Sequence, residues 1–247
     1  MTTIFDFEGK TAIVTGGASG IGAAIATLLV EGGATVFAVD RDPSTAPEGC
    51  KPIAVDVSNW QEMSVMTDDV LASTGRIDAM FNNAGVNAYT NILDATVEEF
   101  DQIVAVNARG VFIGMKAVLP HMLAAGQGAI VNTASNSAKM AIADRASYTA
   151  SKGAVIAMTR QVAVQYAARG VRCNCINPGS TDSPMVADII AKSEDPAARR
   201  LQIQSRQPIG RMARPEEIAS AAVFLASDRA SFITGVDLDV DGGWTAA

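Results

Sequence analysis

Tyr148 and Lys152 lie four residues apart in the stretch Ser147-Tyr-Thr-Ala-Ser-Lys-Gly153. On a helix, positions i and i+4 share one face, so a phenol and an ammonium point into the same space. A tyrosine of pKa about 10 is a poor acid or base at neutral pH. A neighbouring cation favours phenolate and lowers that pKa. Such a pair suits proton exchange with the oxygen of an alcohol or a ketone. The same spacing also occurs on solvated helix faces, so its meaning rests on the elements that position it.

Those elements begin with a nucleotide site. Thr11–Thr15 is a short apolar run, Gly16-Gly-Ala-Ser-Gly-Ile-Gly22 follows, and Ile21, Ala24, Ile25, Leu28 and Leu29 then recur at helical spacing. This reads as strand, glycine turn, helix. The turn lets backbone approach a pyrophosphate at Gly16, Ser19, Gly20, Ile21 and Gly22, and the helix N-terminus supplies free N–H groups. The spacing is Gly-x-x-x-Gly-x-Gly rather than Gly-x-Gly-x-x-Gly, which also suits a plain βα turn. The next apolar run, Ala34–Asp40, ends in an acid. An acid about 20 residues past the glycines hydrogen-bonds the adenine ribose hydroxyls and repels a ribose phosphate, so Asp40 implies NAD. Arg41 follows directly and can accommodate that phosphate.

Composition narrows the class. The chain has 247 residues, 49% hydrophobic, with a formal net charge of −7. That charge argues against nucleic-acid and anionic-membrane surfaces. The start lacks a basic region and a long apolar stretch, and no run approaches the roughly 20 apolar residues of a membrane span; a cytoplasmic enzyme is expected. Of three cysteines, Cys173 and Cys175 alternate on one side of a strand as small hydrophobes, and Cys50 sits in a Pro/Gly-rich loop. With a single histidine, His121, there is no Cys/His cluster, so no metal is expected. A Ser-His-Asp hydrolase would have to use His121, and no Gly-x-Ser-x-Gly elbow supports one.

Strands and helices alternate to the end. Apolar runs at 52–55, 77–81, 129–133, 171–176 and 236–240 alternate with helical patterns at 60–73, 97–123, 146–168 and 215–226. This predicts an α/β fold, a parallel sheet with helices on both faces. Residues 180–206 break the pattern after a strand's carboxyl end, where ligands bind in open sheets. They read as a substrate lid or as a surface helical hairpin.

Taken together, these residues resemble the short-chain dehydrogenase/reductase family over essentially the whole chain. The motifs fall in family order: Thr15-Gly-Gly-Ala-Ser-Gly-Ile-Gly22, Asp56-Val57, Asn82-Asn-Ala-Gly85, Asn107, Ser135, Tyr148-x-x-x-Lys152, Asn177-Pro-Gly179 and Asp241-Gly-Gly243. The resemblance implies one Rossmann-fold domain over residues 1–247, a seven-stranded sheet and a homotetramer. It implies that Tyr148 is the general acid/base and that Lys152 binds the nicotinamide ribose and depresses the tyrosine pKa. Ser135 would hydrogen-bond the substrate oxygen. Asn107 would bend its helix and hold a water joining Lys152 to solvent. Asp56 and Val57 would contact adenine, and Asn83, Ala84 and Gly85 would line the adenosine side. Pro178 and Gly179 lead to Thr181 and Ser183, where many relatives carry an aliphatic residue and a threonine; backbone contacts from Thr181 to the carboxamide need no particular side chain.

Within the family, the loop after Asp40, Arg172-Cys-Asn-Cys175, Pro178-Gly-Ser-Thr-Asp-Ser-Pro184 and Arg206-Gln-Pro-Ile-Gly-Arg211 resemble type 2 3-hydroxybutyrate dehydrogenases and sugar-acid dehydrogenases. The reading is thus an NAD-dependent enzyme interconverting a secondary alcohol and a ketone on a small hydroxy acid or sugar acid. The alternatives are a neutral diol, sterol or cyclic alcohol, a 3-oxoacyl thioester, or a nucleotide sensor without turnover. Arg145, three residues before Tyr148, and Arg206, at the end of the lid, are basic in the hydroxybutyrate enzymes too, and guanidinium suits a carboxylate. Arg145 can equally pair with Asp144 or with an acid of another subunit, and Arg206 can be solvated.

Overall fold

Seven runs of the chain pair side by side, every pair parallel: β1 (Thr11–Thr15), β2 (Thr35–Asp40), β3 (Lys51–Ala54), β4 (Ala79–Asn82), β5 (Gly128–Thr133), β6 (Val171–Pro178) and β7 (Asp237–Val240). The computed structural model describes residues 5–247. The strand order is β3-β2-β1-β4-β5-β6-β7. The chain builds outward from β1 in one direction, then returns to β1 and builds in the other. Thr15 is therefore flanked by Val39 of β2 and Asn82 of β4. This reversal opens a crevice at the carboxyl ends of the strands.

Both faces of the sheet are covered, so adjacent strand residues enter different cores. Ile13, Met80, Ile130 and Cys175 pack in one cluster with Met63, Val118 and Val155. Their neighbours Val14, Phe81, Val131 and Ile176 pack in the other with Ile25, Leu29, Ile218 and Val223. The helices involved are α1 (Gly20–Glu31), α2 (Trp60–Thr74), α3 (Val97–Val104), α4 (Gly110–Ala125), α5 (Ala146–Tyr166) and α8 (Pro215–Ala226). Their ends follow local chemistry. Asn59 accepts hydrogen bonds from the backbone N–H groups of Gln61 and Glu62 at the start of α2, and Gly75, at φ 73°, ends it.

The expected helix over 97–123 differs in detail. It runs to Ala125, and Ala105–Arg109 between α3 and α4 is a π-helical turn. Asn107 sits there, accepting from Val86 N at 2.8 Å and donating to Val86 O at 2.9 Å. A side chain that ties the helix to a neighbouring loop in this way is a physical cause for the extra residue in the turn. By length and composition Val97–Ala125 is apolar enough to cross a membrane, but 56% of its most apolar window is buried inside the protein. The edge strand expected at 52–55 lies at Lys51–Ala54, one position earlier.

Residues 180–206 form two short helices, α6 (Pro184–Ala191) and α7 (Pro196–Gln204), closed on each other by Val186, Ile190, Ile203 and Met212. Arg200 of α7 pairs with Asp182 at 3.0 Å. Cys173 and Cys175 are buried. His121 stands 3.5 Å from Asp68 of α2. No metal-binding cluster occurs among the described residues.

Candidate active site

The glycine turn joins β1 to α1 so tightly that side chains are excluded. A Cβ on Gly22 would lie 2.0 Å from Gly16 O, and one on Gly16 would lie 2.9 Å from the Ala84 Cα. Gly22 is thus a residue that lets the turn close. Gly16, Ser19, Gly20 and Ile21 do line the cleft. The first turn of a helix leaves its N–H groups without internal acceptors, and the N-cap Ser19 side chain makes no capping bond to them. These groups are open to an anion. Asp40, at the end of β2, reaches the same groove beside Arg41. Asp56 and Val57 follow, with the Asp56 carboxylate accepting from Ser58 N at 2.9 Å and Ser58 Oγ at 2.8 Å. Those two bonds hold its pKa below the usual value. Thr15 Oγ1 accepts from both Asn83 N (3.0 Å) and Ala84 N (3.2 Å), fixing the loop after β4 against β1. The donor set, a bare helix terminus plus a carboxylate at a strand end, fits a dinucleotide.

Tyr148, Lys152 and Ser135 converge on this groove from α5 and the end of β5. Ser135 Oγ accepts from Ser137 N at 3.2 Å and from Ser137 Oγ at 2.9 Å. Its own hydroxyl donates to Asn136 Oδ1 in a long bond of 3.5 Å. Lys152 is buried and donates to Thr133 O at 2.8 Å. Burial pushes its pKa down to about 8. Its Nζ is 5.7 Å from the Tyr148 ring centre. Burial raises the Tyr148 pKa, with the Ser135 hydroxyl and the Arg145 charge opposing the rise. Lys152 Nζ and the Arg145 guanidinium stand at nearly equal distances from the Tyr148 ring centre, 5.7 Å and 5.5 Å. Asn107 does not line the cleft. It is fully buried behind Lys152 and accepts nothing from it, and its amide donates to Ser151 Oγ at 3.1 Å.

Arg145 is not paired with Asp144. It donates to Asn87 Oδ1 at 2.9 Å and to Tyr89 Oη at 2.6 Å. Its guanidinium stands 4.0 Å from the Tyr89 ring centre and 5.5 Å from that of Tyr148. Arg206 is half-buried against Trp244, 5.6 Å from its ring centre, rather than solvated. Burial lowers the pKa of both arginines, the Arg199 charge adds to it in each, and the Arg145 charge also lowers Arg206. Among the described residues, neither guanidinium is paired with a carboxylate.

Gly85, Pro178, Gly179, Thr181 and Ser183 also line this cleft. Asn87, Tyr89, Ser137, Ile142, Met185, Val186 and Trp244 also line the cleft and carried no sequence signal of it. They come from four separate stretches, and only tertiary structure joins them. Ser137, two residues after Ser135, is the exception that spacing could have exposed.

The family model described as enoyl-(acyl carrier protein) reductase matches residues 16–245. The chain is 40% identical to cis-4-hydroxycyclohexanecarboxylate dehydrogenase of Sinomonas cyclohexanicum, over 97% of this chain and 98% of that one. It is 39% identical to D-threitol dehydrogenase of Mycolicibacterium smegmatis, over 98% and 95%. A Burkholderia xenovorans structure described as a short-chain dehydrogenase/reductase superposes with a TM-score of 0.95 at 35% identity, covering 98% and 99% of the two chains. With its seven-stranded parallel sheet and its serine, tyrosine and lysine at the strand ends, this chain belongs to the short-chain dehydrogenase/reductase family, oxidoreductases that act on CH–OH groups.

Proposed function

We propose that this protein is an NAD-dependent oxidoreductase that interconverts a secondary alcohol and a ketone on a small substrate bearing an acid group. The observation that carries this reading is the presence of Arg145 and Arg206, neither paired with a carboxylate, in the cleft that holds Tyr148 and Ser135. The likeness to type 2 hydroxybutyrate enzymes supports it, as does the carboxylate in the name of the Sinomonas relative.

The α1 terminus at Gly16, Ser19, Gly20 and Ile21 would hold the pyrophosphate, Asp40 the adenine ribose, and Asp56 and Val57 the adenine. Asn83, Ala84 and Gly85 would line the adenosine. Lys152 would hold the nicotinamide ribose, and Pro178, Gly179, Thr181 and Ser183 the carboxamide. When bound, the nicotinamide ring exchanges the hydride. The chain's own residues manage the proton. Ser135 would exchange its long bond to Asn136 Oδ1 for one to the substrate oxygen. Tyr148 gives a proton to that oxygen in reduction and takes one in oxidation. Because burial raises its pKa, the phenol is protonated at neutral pH, the form that serves reduction. Asn107 positions the loop at Gly85 next to Lys152: a Cβ there would lie 3.3 Å from Asn107 Oδ1 and 3.5 Å from Lys152 Nζ. The α6–α7 pair serves as the lid. Homotetrameric assembly, offered apolar surface by the exposed Phe112 and Val164, and a cytoplasmic site belong to the same reading.

Tyr148→Phe tests it. NADH binding, followed by fluorescence, should persist while turnover falls by at least about a hundredfold, the scale of general acid–base catalysis. Turnover at the wild-type rate would remove Tyr148 from proton transfer. A second reading, a neutral polyol substrate, is favoured by the threitol relative.

A further inference from the structure

The two arginines of the acid-binding reading are held in different ways. Arg145 is fixed by its bonds to Asn87 and Tyr89. The Arg206 guanidinium has no hydrogen-bond or ion-pair partner among the described residues, and rests 5.6 Å from the Trp244 ring centre. Resting on that reading, we infer that Trp244 is a positioning residue for the acid site: its indole face keeps the Arg206 guanidinium over the cleft, where the substrate's acid group meets it.

The balance of forces on Arg206 requires such a support. The Arg199 and Arg145 charges both act against it, and like charges drive a flexible side chain toward solvent. Its backbone, by contrast, is fixed. The next residue, Gln207, is buried, donates from Nε2 to Arg211 O at 2.6 Å and packs against Gly179. The side chain thus leaves a fixed point with an untied head, and the indole is what opposes its departure. A guanidinium over an aromatic face is attracted by the ring quadrupole and stacks on it, more strongly where water is excluded. Both groups are half-buried.

Trp244 is itself held in place. Asp241, buried just past β7, accepts from Gly243 N at 3.0 Å and from Thr245 N at 2.8 Å, so one carboxylate closes the turn on both sides of the tryptophan. Thr245 Oγ1 donates to Asp239 Oδ2 at 3.2 Å. Gly242 and Gly243 lie at φ 64° and 87°, values that glycine adopts without cost. Gly242 O accepts from Ile209 N at 3.2 Å, three residues past Arg206. The turn and the segment after the lid are therefore joined, and the Asp241-Gly-Gly243 motif sets the indole where Arg206 and Tyr148 line the same cleft.

The test compares acids with their carboxamides, so that shape cancels. 3-Hydroxybutyrate and 4-hydroxycyclohexanecarboxylate, each beside its amide, are oxidised with NAD, and the ratio of kcat/KM for acid over amide is taken for the better acid. Thermal melting with each acid gives a readout that needs no turnover. Wild type should favour the acid by at least about tenfold. Trp244→Leu should lower that ratio by about threefold to tenfold, through KM rather than kcat, the scale of a cation–π contact. Trp244→Met gives the same comparison should Trp244→Leu not fold. Trp244→Phe, which keeps an aromatic face, should retain the ratio to within about twofold. With Arg206→Gln already present, Trp244→Leu should change it by less than about twofold, because the indole then has no cation to hold. A ratio unmoved by Trp244→Leu but lowered by Arg206→Gln would overturn the positioning role and leave the acid reading standing. So would a Trp244→Leu effect that persists undiminished beside Arg206→Gln, or a ratio indifferent to Arg206→Gln while Arg145→Gln lowers it. Parity of acid and amide in wild type, or turnover of neither acid with no rise in Tm, would overturn the acid reading and the positioning role with it.

Discussion

Lys152 should weaken the fold that carries it. Its ammonium is buried, and its pKa falls from 10.5 to about 8. At neutral pH the unfolded chain holds this proton firmly and the native chain holds it poorly. The drop of 2.5 between those two values corresponds to about 3 kcal/mol of lost stability. The loss is complete below pH 8. Between the folded and unfolded pKa values the unfolded state binds more proton, so stability recovers as pH rises, and the loss is gone above the unfolded value. Lys152→Met keeps the length and removes the charge. It also removes the bond to Thr133 O, a loss of about 1 kcal/mol. The variant should therefore be about 2 kcal/mol more stable than wild type at pH 7, an advantage that shrinks and reverses toward pH 10.5. Equilibrium urea unfolding of both proteins from pH 7 to pH 10.5 measures the difference, and groups common to both cancel. A variant no more stable than wild type at pH 7, or a difference that does not change with pH, would refute the reasoning. The expected result would show a buried charge kept at the expense of stability.

Asp40→Ser removes a carboxylate beside Arg41, so the ratio of kcat/KM for NADP to that for NAD should rise by at least about tenfold, about 1.4 kcal/mol; an unchanged ratio would show that Asp40 does not read the ribose. Arg145→Gln should raise KM for an acid substrate by about tenfold to a hundredfold, the worth of a charge-assisted bond, and leave a neutral alcohol nearly unaffected. The same substitution removes the cation that opposes the rise in the Tyr148 pKa, so the pH profile of oxidation should move to higher pH; an unmoved profile would detach Arg145 from the phenol. Gly22→Ala places a Cβ 2.0 Å from Gly16 O and should lower stability by about 1–3 kcal/mol with loss of NADH binding. Gly153→Ala, in α5 with nothing within 4 Å of the added Cβ, should raise stability by about 0.5–1 kcal/mol in the same melts.

Much of the scaffold was legible because its signals are local. The apolar run Thr11–Thr15, the helical spacing around Gly22 and the acid at Asp40 each express backbone geometry within a few residues. The edge strand at Lys51–Ala54 was less so. It is exposed or half-buried throughout, and its boundary is set by pairing with β2 rather than by its own pattern. The π turn at Ala105–Arg109 was read as plain helix because its stabilising contacts come from Val86, across 21 residues.

The sequence by itself determined the chemistry the protein can carry: a glycine turn, a carboxylate on the following strand, a serine, and a tyrosine and lysine on one helical face. These follow from residue type and short spacing, which fix backbone conformation and side-chain direction directly. The tertiary structure decided how those groups behave. Burial, a property of the whole packed chain, lowers Lys152 and raises Tyr148. The contact between Arg145 and Tyr89, 56 residues apart, holds the guanidinium 5.5 Å from the Tyr148 ring centre. The approach of Trp244 to Arg206 and of Met185 to Asn87 brings remote segments into the same cleft. Desolvation and through-space charge depend on distances between remote segments, and no local pattern encodes those distances.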